Sequence, residues 1–197
     1  MWSFILAVCL LLSTPGPGVL SLAGVGAAFG YRHGVRYLIG LFIGTNVVAL
    51  GVITGLAALM LAEPGIRVAL TLISAGYLLW LAFRIAFAGA KIAFIERPEP
   101  PGIRGGLLLQ AVNPKAYVVN TTLFSGFVFW ADHPALEMTA KLIILNVLWI
   151  SIHIIWLWVG VTLQRMNLAP KVQRTINVGM ALAMLVVVAM ASLGSMT

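Results

Sequence analysis

The chain has 197 residues, 61% of them apolar and 9% charged, with a mean hydropathy of +1.06. Soluble domains carry about a quarter charged residues, so this composition cannot cover a water-exposed surface; it excludes a soluble enzyme, a nucleic-acid binder and a disordered chain. The net charge of +7 lies between apolar runs, where it marks a membrane's cytoplasmic face, and the single cysteine, Cys9, excludes an intrachain disulfide, a dithiol redox pair or a cysteine-rich metal centre.

A spanning helix takes about 20 apolar residues, so the chain holds roughly six spans joined by short loops. Charges punctuate it. The first 31 residues carry none, and without a basic n-region they read as a first span over 2–29 rather than a cleaved signal. Span two is expected over 37–62 and span three over 66–87, with Arg84 near its end, where the side chain can snorkel. Glu96-Arg97-Pro98-Glu99-Pro100-Pro101 is a polar connection that cannot be helix interior. Spans four, five and six follow over 105–131, 142–163 and 176–193. The expected fold is thus an all-α integral membrane protein of six transmembrane helices. Its organisation is a three-helix repeat over 1–95, a cytoplasmic linker over 96–104 and a second three-helix repeat over 105–197.

Loop charges set the expected orientation. Connections one-two, three-four and five-six carry Arg32, Arg36, Arg84, Lys91, Arg97, Arg104, Arg165, Lys171 and Arg174, against Arg67 and Lys141 in the other two. This asymmetry puts both termini on the periplasmic side. Three spans per half make the second half enter from the opposite face, as in inverted-repeat transporters.

Each half opens with an interrupted helix: Pro15-Gly16-Pro17-Gly18 in span one and Asn113-Pro114-Lys115 in span four. At 1.5 Å per residue, both breaks fall near the middle of a roughly 30 Å hydrocarbon layer and are expected to line one cavity. Prolines remove amide donors, and the carbonyls so freed can hold a cation or ammonium. Amides that start the second half-helix, from about Val19, can hold an anion such as a carboxylate. A simple proline kink is the bland alternative.

Lys115 is the strongest single clue. A lysine near the bilayer centre costs about 2.5–3.5 kcal/mol, and no mid-span carboxylate offsets it, because Glu63, Asp132 and Glu137 lie at outer span ends. Its expected partner is transient: a substrate carboxylate, water, or carbonyls of the other break. His153, mid-span five near Asn146 and Ser151, is a packing residue or a proton relay. Asn46 and Thr45 in span two, with Asn120, Thr121 and Thr122 in span four, are interhelical hydrogen-bond partners or cavity lining. Gly40, Gly44, Gly51 and Gly55 share a helix face for close packing, inside one chain or in a homodimer. No nucleotide loop, zinc motif or nucleophile triad is present, so neither a cofactor nor a metal is expected.

The Pro15-Gly16-Pro17 break, the glycines 30, 34, 40 and 44, Ala75-Gly76-Tyr77-Leu78 and Asn113-Pro114-Lys115-Ala116 together resemble the LysE/RhtB family of exporters, lysine and threonine/homoserine types. Order and spacing agree along nearly the whole chain. The resemblance implies a bacterial inner-membrane exporter of amino acids or related metabolites, coupled to the proton motive force and often oligomeric. The family usually has asparagine after Pro-Gly-Pro, where this chain has Gly18. The resulting expectation is proton-driven export of a small zwitterion. Its carboxylate would lie against Lys115 and the amides near Val19, and its ammonium against carbonyls around Gly16. A metal or inorganic-cation exporter is the alternative reading, although such sites want carboxylates, histidine clusters or thiolates.

Overall fold

A computed structural model describes residues 1–14, 16–55, 63–86 and 99–166, with helical positions 171–172, 174–175, 178–179 and 182. Among the described residues every regular element is an α-helix. In hydrocarbon each backbone donor must be satisfied within its own segment, which helices alone achieve without closing a barrel. The elements are α1 (Trp2–Ser13), α2 (Pro17–Phe29), α3 (Tyr31–Ile53), α4 (Pro64–Ala86), α5 (Ile103–Val112), α6 (Pro114–Ser125) and α7 (Pro134–Arg165). By length and composition, α3 and residues Pro134–Leu163 of α7 suffice to cross a membrane; α1 and α2, bent by 50° at their junction, form a third candidate span. Most of the expected span over 176–193 lies outside the described residues, as do residues 56–62 of expected span two and residues 96–98 of the expected linker over 96–104.

Helix ends follow their local chemistry. α1 stops at Thr14, whose backbone is extended (ψ 124°). Pro17 occupies the first turn of α2 and Pro114 that of α6, positions where the missing N–H would have had no partner anyway. Gly30 adopts φ +80°, a left-handed conformation that favours glycine, and lets α3 begin one residue after α2 ends. α3 therefore starts at Tyr31 rather than near residue 37, taking Arg32 and Arg36 into its first turns.

The larger departure concerns the outer end of the second half. Residues 126–133 are non-helical, so α6 ends six residues short of the expected 131, and α7 begins eight residues before the expected 142. Lys141 is not a loop charge. Fully buried, it pairs with Glu137 one turn earlier, Nζ to Oε1 at 2.6 Å. Its ammonium also donates to the Phe124 and Phe127 carbonyls, while Glu137 Oε2 accepts the Phe129 and Trp130 amides. A buried ion pair is tolerated only when its remaining hydrogen-bonding capacity is filled. Here that capacity is filled by the backbone which leaves α6, so the pair shapes the connection.

Glycines bring helix backbones into contact. A Cβ on Gly106 would lie 2.3 Å from the Tyr37 carbonyl oxygen, and one on Gly40 would run into the Ile103 carbonyl; Gly44 faces Gln110. Gly40 and Gly44 thus pack α3 on α5 within one chain. On α3, the exposed residues Ile39, Ile43, Val47 and Leu50 form a separate apolar stripe. α2 meets α7 in the same way, where Gly160 abuts the Ala23 carbonyl. Two apolar clusters complete the core. One holds Leu22, Tyr37, Leu41, Leu109, Trp149 and Leu157; the other holds Phe4, Val8, Ala49, Leu123, Phe124 and Leu145.

Gly106→Val drives a side chain into the Tyr37 and Leu41 backbone, a strain of about 1–3 kcal/mol or more. It is expected to lower the melting temperature of the detergent-solubilised protein clearly. Gly76→Ala, where nothing lies within 4 Å of an added Cβ, should leave it unchanged.

Candidate functional site

The junctions α1–α2 and α5–α6 border one cavity of ≈ 50 Å³, which also reaches α3 and α7. Gly16, Gly18, Asn113, Lys115 and His153 line it. Pro17 is buried at the start of α2, and Pro114 is half-buried at the start of α6. Pro15 lies outside the described residues. Asn46 does not border the cavity. Its amide pairs reciprocally with that of Asn146 on α7, each donating to the other at 2.9 Å. Thr45 and Asn120 line the cavity, whereas Thr121 and Thr122 are exposed.

Lys115 crosses from one junction to the other. Its stem lies over Gly16, where an added Cβ would come within 2.8 Å of Cδ, and its Nζ donates to the Thr14 carbonyl at 2.6 Å. Thr14 caps the C-terminus of α1, the negative end of that helix, where carbonyls lack intrahelical partners and favour a cation. Lys115 stands instead in the first turn of its own helix, the positive end. Its length carries the charge from an unfavourable pole to a favourable one. The Thr14 carbonyl belongs to the other break, whose carbonyls were among the partners expected for this lysine.

The two helix N-termini differ. At α6, Asn113 Oδ1 accepts the Lys115 amide, and the Asn113 carbonyl accepts the Ala116 amide, so this terminus is capped. At α2 the cap residue is Gly16, with no side chain to offer the amides of Gly18 and Val19. Both residues face the cavity, leaving this terminus suited to a carboxylate.

A chain of hydrogen bonds orients the remaining polar groups. Because Asn113 Oδ1 accepts from the Lys115 amide, its Nδ2 is the donor towards Gln110 Oε1, at 2.9 Å. His153 Nδ1 lies 2.8 Å from the Trp149 carbonyl, with the imidazole stacked on the indole at 3.5 Å. A carbonyl only accepts, so Nδ1 carries the proton, and Nε2 of the neutral ring is an acceptor. Asn120 Nδ2 donates to the Ala116 carbonyl at 2.7 Å, while its buried Oδ1 has no partner among the described residues. Reading the sequence missed Gln110, although its spacing of three from Asn113 puts both on one helix face. Trp149, the platform under His153, lies four residues before it on α7.

The profile of the LysE type translocator family matches residues 9–193, and the chain belongs to that family. It is 35% identical over 128 residues to a cysteine/O-acetylserine efflux protein of Salmonella paratyphi A and 26% identical over 132 residues to a leucine efflux protein of an Enterobacter species. Each match spans 64% of this chain and 63% of the relative. A cysteine/O-acetylserine efflux protein of Escherichia coli O139:H28 is 25% identical over 185 residues, 93% of this chain and 91% of that one. No solved structure matches.

Lys115 Cδ lies close enough to Gly16 that cysteines at positions 16 and 115, in a Cys9→Ser background, should crosslink with a short bifunctional thiol reagent in inserted protein. Absence of the crosslink would contradict the contact between the two junctions.

Proposed function

Taking membership of the LysE translocators as the premise, we propose that this protein is a gradient-driven exporter of amino acids or similarly small zwitterions across the bacterial inner membrane. The observation that carries the reading is the Lys115 ammonium resting on the Thr14 carbonyl beside the uncapped start of α2. A charge held by one backbone carbonyl, with no carboxylate partner among the described residues, is free to exchange that carbonyl for a substrate carboxylate. The size of the relatives' named cargo, cysteine, O-acetylserine and leucine, is the size we assign to the substrate here.

Energetics favour such an exchange. A hydrogen bond to a charged group contributes about 1.5–3 kcal/mol, comparable with the 2.5–3.5 kcal/mol cost of a lysine at mid-membrane. Trading the carbonyl for a mobile carboxylate replaces one charge-assisted hydrogen bond by another and keeps the ammonium paired throughout. A cavity of ≈ 50 Å³ is well below the roughly 300 Å³ of the smallest ligand sites, so admission requires Lys115 to leave Thr14 and the junctions to part. Loss of the Lys115 proton removes the charge that holds the substrate carboxylate, so in this reading release follows deprotonation of the lysine and export is coupled to the proton motive force.

We further read the architecture as two inverted three-helix repeats with discontinuous spans one and four and both termini periplasmic, the linker over 96–104 joining the halves. Reciprocal packing supports this. α3 of the first half packs on α5 and α6 of the second, while α7 packs on α2 and α1. The reciprocal Asn46–Asn146 pair has the self-complementary form of a contact near a two-fold axis. The cation reading has no comparable support: among the described residues no three His, Cys, Asp or Glu side chains gather.

Lys115→Met is expected to reduce efflux of labelled leucine or O-acetylserine from loaded proteoliposomes at least tenfold without loss of expression or insertion. Lys115→Arg should also impair it, since arginine keeps its proton throughout the cycle. Wild-type export by Lys115→Met with an unchanged pH dependence would refute the coupling role.

A further inference from the structure

The cavity wall facing the donors consists of oriented acceptors. Gln110, Asn120 and His153 come from α5, α6 and α7 and are each at least nine-tenths buried. Their local partners fix which atom is left over. Gln110 Oε1 keeps a second lone pair beyond the one used by Asn113. His153 Nε2 keeps its lone pair because Nδ1 is engaged by the Trp149 carbonyl. Asn120 Oδ1 has no partner among the described residues. A flipped Asn120 amide would set its oxygen against the Ala116 carbonyl, so this orientation is not interchangeable.

Gly18 keeps two of these atoms accessible. A Cβ there would lie 3.7 Å from His153 Nε2 and 3.8 Å from Gln110 Oε1, so both converge on space that glycine leaves open. Leaving a buried acceptor unpaired is costly, because it has lost its hydrogen bond to water. Two acceptors converge on the space beside Gly18, and Asn120, which lines the same cavity, holds a third; together they suit a ligand group that brings several donors. A primary ammonium has three N–H groups and no acceptor, which fits this complement.

We propose that Gln110 Oε1, Asn120 Oδ1 and His153 Nε2 form an ammonium half-site, complementary to the carboxylate half-site of Lys115 and the start of α2, and that this half-site selects substrates with a free primary amine. The proposal rests on the exporter reading for its biological use but not for its chemistry, since amine binding is measurable without transport. It assigns the discrimination to side chains deep in the cavity. Amino acids with a free amine bind through both halves; their deaminated or N-acylated counterparts lose one.

The test is ligand-induced stabilisation of the purified full chain in detergent. The probes are L-leucine, 4-methylpentanoate (its carboxylate without the amine) and 3-methylbutylammonium (its amine without the carboxylate), with tetramethylammonium as a cation lacking N–H donors. At about ten times its Kd, a bound ligand should raise Tm by roughly 3–6 °C for a chain of this size. Wild-type protein is expected to respond to leucine at the lowest concentration, to 3-methylbutylammonium at a higher one, and not to tetramethylammonium. Asn120→Leu should lose at least tenfold in apparent affinity for 3-methylbutylammonium while keeping its response to 4-methylpentanoate; Lys115→Met should show the reverse. Asn120→Asp, which preserves the size of the side chain, should strengthen the amine response and supplies the test if Asn120→Leu does not fold. An absent amine response in wild type, a response unchanged in Asn120→Leu, or no gain in Asn120→Asp overturns the half-site. Failure of efflux with intact amine binding would instead overturn the exporter reading alone.

Discussion

A single ammonium-to-carbonyl contact organises this protein: Lys115 Nζ on the backbone oxygen of Thr14. It exists because two features of the chain coincide. α1 ends at Ser13, with Thr14 extended, so its last carbonyls are left without helical partners. Lys115, displaced from the positive end of its own helix, is long enough to reach them. The contact ties the first half of the chain to the second across the cavity. A carboxylate partner would have made a permanent ion pair. A carbonyl neutralises less and can be replaced.

The rest of the fold holds those two ends in register. Gly40, Gly44 and Gly106 let α3 and α5 touch along their backbones, and Gly160 does the same for α7 on α2. The cavity's walls are therefore set by main-chain contacts, which are stiff. Asn46 and Asn146 pin α3 to α7, away from the cavity. The second buried lysine is a useful contrast. Lys141 has three acceptors, one of them Glu137, all satisfied within its own neighbourhood. Its hydrogen bonds are complete and it is suited to structure, while Lys115, with one carbonyl acceptor, is suited to exchange.

Much of this was readable from the residues, because in a chain with 9% charge each polar side chain stands out. Gly16, Gly18, Asn113, Lys115 and His153 were singled out for that reason, and all border the cavity. The ends of α6 and α7 were not readable. Glu137 and Lys141 looked like loop charges, yet at spacing i,i+4 they neutralise each other and enter the helix. Nor could the sequence reveal how Gln110 and Asn120 are oriented, because neighbouring amides and carbonyls fix the rotation of their side chains. Asn46 shows the converse: a mid-span amide that looked equally functional is consumed by a partner one hundred residues away.

The central claim is that Lys115 exchanges the Thr14 carbonyl for a substrate carboxylate. A structure of the protein in a lipid bilayer with leucine or O-acetylserine bound tests this most directly. The account predicts Lys115 Nζ at hydrogen-bond distance from the ligand carboxylate, about 2.7–2.9 Å, with the Thr14 carbonyl released. A bound ligand with Nζ still on Thr14 and its carboxylate held elsewhere would contradict it.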